Sequence, residues 1–367
     1  MRVGVFLIVG NVDGGGGVER QFINFVLNNT ADGNKVDIIT TSTSKKNILA
    51  LNPGFPQDRI KALPSLNNRF NKALTKMVAG IYLFLNRYKV IHIANYDSYY
   101  QYLYEFLGKR TKLTLNLIDC RFTPEINDKR YNKVNSFLSD KRFLDGVFSW
   151  YKNTEEAINK LNDKVYFEAA SYCFTDYELF KKEQKEKTIV FAARLSKVKR
   201  PEDYLEAVSI LYKRRPELFN EWKFLLWGNG EILEEVKKKV NDHGLERVIR
   251  MGYSKHMNEI FNRSSIFVST QMYENFTSLS MLEAMASGNA IVSYNVGQTD
   301  CFVKNGENGI LTNENPHELA AAMETLMDSP GTLEAYQQKS YELSRKVHNY
   351  ENFSRELFGF WNKILNN

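Results

Sequence analysis

Two acidic residues nine positions apart open the chemical reading of this chain. They lie in Tyr273-Glu274-Asn275-Phe276-Thr277-Ser278-Leu279-Ser280-Met281-Leu282-Glu283-Ala284-Met285-Ala286-Ser287-Gly288. Thr277 or Ser278 is a suitable N-cap for a helix carrying Met281, Leu282, Met285 and Ala286, so Glu274 falls in the preceding loop and Glu283 inside the helix. Acceptors for sugar hydroxyls and donors for a phosphate then lie side by side. Helix glutamates are usually solvated, but Leu282 and Ala284 to Ala286 are apolar and make simple exposure of Glu283 less comfortable.

Upstream, Phe191-Ala192-Ala193-Arg194-Leu195-Ser196-Lys197-Val198-Lys199-Arg200 places four cations just past a strand. Arg offers a diphosphate a planar fork and Lys a point charge, while a solvated basic loop is the plainer reading of this segment taken alone. Gly228-Asn229-Gly230 after Trp227 is a strand-glycine-helix turn where backbone can approach a ligand. Gly14 to Gly17 repeat that logic between the first strand and a helix from Val18, where N–H groups at a helix N-terminus suit an anion. A turn without a ligand is the alternative there. The dinucleotide fingerprint needs glycine at position 19, where Glu19 stands, and no Walker-type phosphate loop occurs.

The elements that must position these residues alternate along the chain. Strand-like Val3–Val9, Lys35–Thr41, Val90–Ala94 and Lys112–Ile118 are interleaved with helix-like Val18–Leu27, Asn71–Leu85 and Tyr99–Leu107. The pattern restarts at Thr188–Ala192 and continues through Lys223–Trp227, Val248–Met251, Ile266–Ser269 and Ala290–Ser293, with helices at Pro201–Tyr212, Glu231–Asp242 and Met257–Asn262. Such alternation predicts an α/β fold of two doubly wound parallel-sheet (Rossmann-like) domains facing across a cleft. Residues 1–180 are expected to form the first domain and 188–349 the second, with the charged run Lys181 to Lys187 as a solvated linker. Phe353, Leu357, Phe358, Trp361, Ile364 and Leu365 recur at helical spacing, and residues 350–367 are expected to return to the first domain.

With 367 residues, 43% hydrophobic and 25% charged, the chain has room for two to three globular domains, and wholesale disorder or coiled coil is excluded. Its formal charge of +6 is mild for this length and gives no argument for nucleic acid. Cys120, Cys173 and Cys301 lie far apart, which supports neither a disulfide framework nor a zinc site and suits a reducing, cytoplasmic compartment. The apolar start lacks a small-residue cleavage site, and Met77 to Leu85 is too short to span a bilayer.

In their order along the chain, the glycine turn with Glu19-Arg20, Arg194-Leu195-Ser196 with Lys199, Gly228-Asn229-Gly230, Tyr273-Glu274-Asn275-Phe276 and Leu282-Glu283-Ala284-Met285-Ala286-Ser287-Gly288 resemble the family-four retaining glycosyltransferases of the GT-B fold. The resemblance implies that Arg194 and Lys199 bind the donor diphosphate, Glu274 the donor sugar and Glu283 the nucleotide ribose. It further places Thr277, Ser278 and Leu279, together with Gly16, Gly17, Gly228 and Asn229, around the nucleotide. Two departures stand out. Eight residues separate the paired glutamates where family members show seven, and Ile118 stands where many members carry a histidine, in Asn116-Leu117-Ile118-Asp119-Cys120-Arg121. His92, Asp119 and Arg121 are the acceptor-side candidates, with a packed or capping histidine as the other reading of His92.

The resemblance implies metal-independent transfer, with retention, from a nucleotide-sugar, UDP-linked first and guanosine-linked second, to an acceptor hydroxyl in glycan synthesis. No cofactor is expected. A nucleotide-sugar epimerase and a non-catalytic nucleotide-sugar-binding relative are the alternatives; five histidines in all give the epimerase little to shuttle protons with. Leu74, Met77, Val78, Ile81 and Leu85 with Arg69, Lys72, Lys76, Arg87 and Lys89 read either as a core-facing helix or as a basic amphipathic helix on an anionic membrane surface, the latter pointing to a lipid-linked acceptor.

Overall fold

A computed structural model describes residues 1–10, 16–29, 34–63, 69–96, 111–119, 122 and 129–367, the side chains of 69–76, 84 and 129–133 excepted. The helix expected at Tyr99–Leu107 lies outside these. The chain forms two compact units, Met1–Cys173 with Tyr350–Asn367, and Phe174–Asn349.

In the first unit β1 (Arg2–Phe6), β2 (Lys35–Thr41), β3 (Ile60–Leu63), β4 (Val90–Ile93), β5 (Lys112–Leu117), β6 (Gly146–Ser149) and β7 (Tyr166–Ala169) pair in parallel in the order β3-β2-β1-β4-β5-β6-β7. Val3, Val5, Ile38, Ile91, Leu115 and Val147 are fully buried. Helices on both faces explain why these strands read as apolar runs rather than alternating ones.

The second unit repeats the design with β8 (Thr188–Ala192), β9 (Lys223–Trp227), β10 (Ile249–Gly252), β11 (Ile266–Ser269), β12 (Ala290–Tyr294) and β13 (Gly309–Thr312). Their order is β10-β9-β8-β11-β12-β13, again all parallel. Chain order reverses between β8 and β11, which opens a crevice at the carboxyl ends of those two strands. Both sheets match the predicted doubly wound class. The strands β3, β6, β7 and β13 are additions to those read from the sequence.

Two boundaries differ from the expected ones. Residues 174–180 belong to the second unit, and the run from Lys181 to Lys187 is fastened to it rather than solvated throughout. Lys185 Nζ donates to the carbonyls of Phe261 (3.2 Å), Asn262 (3.1 Å) and Ser287 (2.6 Å). Glu186 donates its N–H to Arg263 O at 2.7 Å and pairs with Lys223 and Arg263 through its carboxylate. Charge pattern alone could not distinguish a lysine offered to water from one offered to helix-terminal carbonyls.

The final helix, Tyr350–Asn366, packs within the first unit. Phe353, Leu357, Phe360, Trp361 and Ile364 are buried, and the Trp361 ring lies 6.0 Å from Phe25 and 5.4 Å from His92. Gly146 on β6 makes room for it, since a Cβ there would stand 3.0 Å from Phe360 Cζ. On helix Arg69–Asn86, Ala79 and Leu83 face the core while Met77, Val78, Ile81 and Leu85 are exposed.

Candidate active site

The loop after β8 is held in place by the turn after β9. Ala193 donates its N–H to Trp227 O (3.1 Å) and Leu195 to Asn229 O (3.0 Å). A Cβ at Gly230 would lie 2.8 Å from the Leu195 backbone nitrogen, and one at Gly228 would collide with the Ala193 carbonyl. These glycines therefore make space for the 193–195 backbone. Asn229 Oδ1 accepts the Gly230 N–H at 2.8 Å, closing the turn.

That packing presents the cations differently. Arg194 is exposed, and no hydrogen bond or ion pair engages its side chain among the described residues. Lys199 ends a 3-10 turn, Lys197–Lys199, and its Nζ donates to Gln271 Oε1. Thr270 Oγ1 donates to the carbonyls of Lys199 (2.9 Å) and Arg200 (2.8 Å), and Met272 N–H to Val198 O (2.9 Å). The loops after β8 and β11 are thus tied together over the crevice between those strands. Arg200 is spent on structure: it pairs with Asp203 at 2.6 Å and with Glu314, and its guanidinium lies 5.4 Å from the Tyr294 ring.

Glu274 is 3% exposed. Its Oε1 accepts the N–H of Phe276 and of Gln298, both at 2.8 Å, and Gln271 Nε2 donates to its carbonyl. Burial pushes its carboxyl up to about 7 against the pull of these N–H groups. Asn275 fixes the next position from a fully buried site: Oδ1 accepts from Ser269 Oγ (2.8 Å), and Nδ2 donates to Ser293 Oγ (3.0 Å), Tyr294 O (3.3 Å) and Thr299 Oγ1 (3.1 Å). Tyr273 (φ 66°) and Thr277 (φ 49°) are left-handed without being glycine. A network on one side and strained backbone on the other leave the loop few alternatives, a pattern typical of functional sites.

Helix Leu279–Ala286 starts from this loop. Ser278 occupies the N-cap position with extended dihedrals but makes no capping bond through its side chain, and Thr277 is one residue too early to cap. Among the described residues no acceptor takes the N–H of Leu279, Ser280 or Met281. Unpaired first-turn N–H groups at the positive end of a helix form a ready anion site. Glu283 lies four positions further on and is 5% exposed, so its apolar neighbours did signal burial. The structure puts Arg194, Lys199, Glu274, Thr277, Ser278, Leu279 and Glu283 on the loops after β8 and β11 and on the helix that follows β11. Sequence reasoning missed Gln271, Asn275, Gly297 and Gln298; Gly297, just after β12, was the available signal, by the logic applied to Gly228.

The first-unit candidates are treated less kindly. Helix Gly17–Asn28 has Gly16 at its N-cap, and a Cβ on Gly16 would stand 2.6 Å from Glu19 Oε2. The acid at the start of this helix is its own. Asn95 holds Glu19 Oε1 at 3.2 Å while clamping Ile8 through N–H (3.0 Å) and carbonyl (2.8 Å). His92 is corrected to a core residue: it is fully buried within β4, with Nδ1 hydrogen-bonded to Thr114 Oγ1 (2.9 Å) and receiving Trp361 Nε1–H (3.4 Å). Burial pushes its imidazole down to about 3, so it stays neutral. Asp119 follows β5 at the carboxyl edge of the sheet, beside the exposed Ile118. Arg121, Gly14 and Gly15 lie outside the described residues.

Residues 177–343 match the family model described as Glycosyl transferases group 1. A poly(glycerol-phosphate) alpha-glucosyltransferase of Bacillus subtilis is 28% identical over 160 residues, 43% of this chain and 23% of that protein. A poly(ribitol-phosphate) alpha-N-acetylglucosaminyltransferase of Staphylococcus aureus is 30% identical over 141 residues, 37% of this chain and 27% of that protein. The matched part thus spans about a quarter of these relatives. The crystal structure of Alr3699/HepE from Anabaena in complex with UDP superposes with a TM-score of 0.75 over 99% of this chain and 100% of that one, at 16% identity. The chain has the two-domain GT-B fold, and the body of its second unit matches the Glycosyl transferases group 1 family.

Proposed function

We propose that this chain transfers a sugar, with retention at the anomeric carbon, from a nucleotide-sugar to an acceptor hydroxyl. The observation that carries the reading is the convergence at the β8–β11 crevice of an uncommitted Arg194, a tethered Lys199, three unpaired N–H groups and two buried carboxylates. Breaking the bond between sugar and diphosphate leaves negative charge on the β-phosphate. In this reading Arg194, Lys199 and the helix N-terminus absorb it, and preorganised charge of this kind lowers barriers by several kcal/mol. The acceptor oxygen bonds the anomeric carbon as its bond to the diphosphate breaks, with no protein nucleophile between them; the departing phosphate takes the acceptor proton, and the cations do the neutralising without a metal. Glu274 holds the donor sugar hydroxyls and Glu283 the ribose.

UDP is the donor nucleotide we favour, supported by the UDP-bound neighbour and the fold shared with it. The names of the two relatives, both alpha-transferases onto polyol-phosphate polymers, support a growing surface glycan as acceptor and an alpha linkage, the outcome of retention from an alpha-linked donor. A cytoplasmic enzyme resting on a membrane face is the second reading of location. The exposed Met77, Ile81 and Leu85 favour it; among the described residues no helix is long and apolar enough to cross a membrane.

A thermal-shift screen with UDP, GDP and their sugars tests the donor site. A ligand at 100 times its Kd stabilises the native state by about 2.7 kcal/mol. No shift with any nucleotide overturns the reading. A shift followed by interconversion of the nucleotide-sugar without acceptor identifies an epimerase, and binding without turnover a non-catalytic relative.

A further inference from the structure

The negative end of helix Leu279–Ala286 is unusually well supplied. Gly288, with φ 74°, donates its N–H to Met285 O (2.8 Å), and Asn289 donates both its N–H and its Nδ2 to Ala284 O (2.9 Å each). This Schellman closure settles the carbonyls of 284 and 285. The next two are taken by cations: Arg345 Nη1 donates to Ala286 O at 2.7 Å and Lys185 Nζ to Ser287 O at 2.6 Å.

Neither cation belongs to the helix. Lys185 comes from the charged run before β8 and spends its other two N–H donors on Phe261 O and Asn262 O, at the end of helix Met257–Phe261. Three acceptors match the three donors of an ammonium group, while burial pushes this lysine down to about 7. Arg345, near the end of helix Pro330–Val347, donates through Nη2 to Tyr177 O (3.2 Å) and Phe180 O (3.1 Å) and lies 3.8 Å from the centre of the Tyr341 ring. At about 1.5 Å per residue, eight residues put this clamp roughly 12 Å from the free N–H groups at the other end. Cations at a helix C-terminus complement its dipole as anions do at the N-terminus. The helix is short, so both ends belong to one rigid piece.

We propose that Lys185 and Arg345 are positioning residues of the donor site, which clamp the C-terminal end of helix Leu279–Ala286 and thereby set the depth and direction at which its N-terminal N–H groups and Glu283 meet a nucleoside diphosphate. The inference rests on the donor-site reading above, and it assigns a role to a segment that looks like a linker. Neither side chain touches the ligand. Their effect is read first in donor affinity, because UDP already carries the phosphates those N–H groups meet.

The test uses the full chain with UDP as probe, by calorimetry, alongside donor KM, kcat and thermal melting. Lys185→Met is expected to weaken UDP binding and raise donor KM about fivefold, with kcat within about twofold of wild type. Lys185→Arg, which keeps the charge, is expected to restore most of the affinity. Arg345→Met is expected to act in the same direction and Arg345→Lys to lie between. Should Lys185→Met fail to fold, the Arg345 pair carries the same comparison. Folded Lys185→Met or Arg345→Met with wild-type UDP affinity overturns the proposal, as does a loss confined to kcat. Wild-type protein that binds neither UDP nor GDP overturns the donor site itself, a distinguishable failure.

Discussion

Gly297 stands directly against the carboxylate of Glu274: a Cβ at position 297 would lie 2.6 Å from Glu274 Cδ and 2.5 Å from the Tyr273 carbonyl oxygen. Its φ of 52° is also one that side chains resist. Glycine here lets the 296–298 turn close over the acid so that Gln298 N–H reaches Oε1 at 2.8 Å. Gly297→Ala is expected to cost about 1–3 kcal/mol of stability from backbone strain. It should lower sugar transfer more than tenfold by displacing Glu274, with UDP affinity within about threefold. Thermal melting, turnover and calorimetry on one preparation check this; unchanged turnover would show that Glu274 tolerates displacement.

The raised carboxyl of Glu274 makes stability depend on pH in a definite direction. Its ordinary value is 4.5 and burial holds it at about 7, so the folded state keeps a proton that the unfolded state has lost between those values. Its contribution to stability is complete below pH 4.5, falls as pH rises to about 7, and is then flat. Glu274→Gln should therefore melt higher than wild type at pH 8, with the gap closing toward pH 5. A gap independent of pH would contradict the burial argument. Sugar transfer should fall sharply in the same variant.

Arg194 and Lys199 are expected to separate in their side effects. Arg194→Ala removes an exposed, uncommitted cation and should lower turnover by about 10² to 10³ with melting unchanged. Lys199→Ala should lower turnover as much but also free Gln271, whose amide donates to the Glu274 carbonyl. A modest loss of melting temperature in Lys199→Ala alone is the expected signature. Near wild-type transfer in either variant refutes the diphosphate assignment.

Glu283→Gln should weaken UDP and GDP binding about tenfold, since an amide has lost one acceptor oxygen for the paired ribose hydroxyls. Calorimetry decides it. Unchanged affinities would make Glu283 a packing residue of its helix.

Trp361→Ala should destabilise the first unit by about 3–5 kcal/mol, the usual cost of emptying a large aromatic site. Phe25 and His92 lose a packing partner, and His92 Nδ1 loses the indole N–H. Removing residues after Asn349 should give aggregation or loss of activity. A soluble, fully active truncation would show that the helix is dispensable.

How much of this was legible differs by scale. The alternation of apolar runs with amphipathic segments determined the doubly wound class, because strands buried on both faces have no polar positions to offer. The candidate donor loop was equally local: the two acids and the cap positions are neighbours in the chain. What the sequence could not assign was who spends each polar group. Arg194 and Arg200 sit six positions apart in one basic run, yet the first is uncommitted and the second is consumed by Asp203 and Glu314. His92 had the type of an acceptor-side residue and the address of a core one, because Trp361, 269 positions away, closes over it. The charged run ending at Lys187 has a linker's composition, but three carbonyls at the ends of two helices turn Lys185 into a clamp. Hydrogen-bond partners and burial are set by residues far apart in the chain, so periodicity and composition determine the elements while only the tertiary structure decides which of their charges remain available for chemistry.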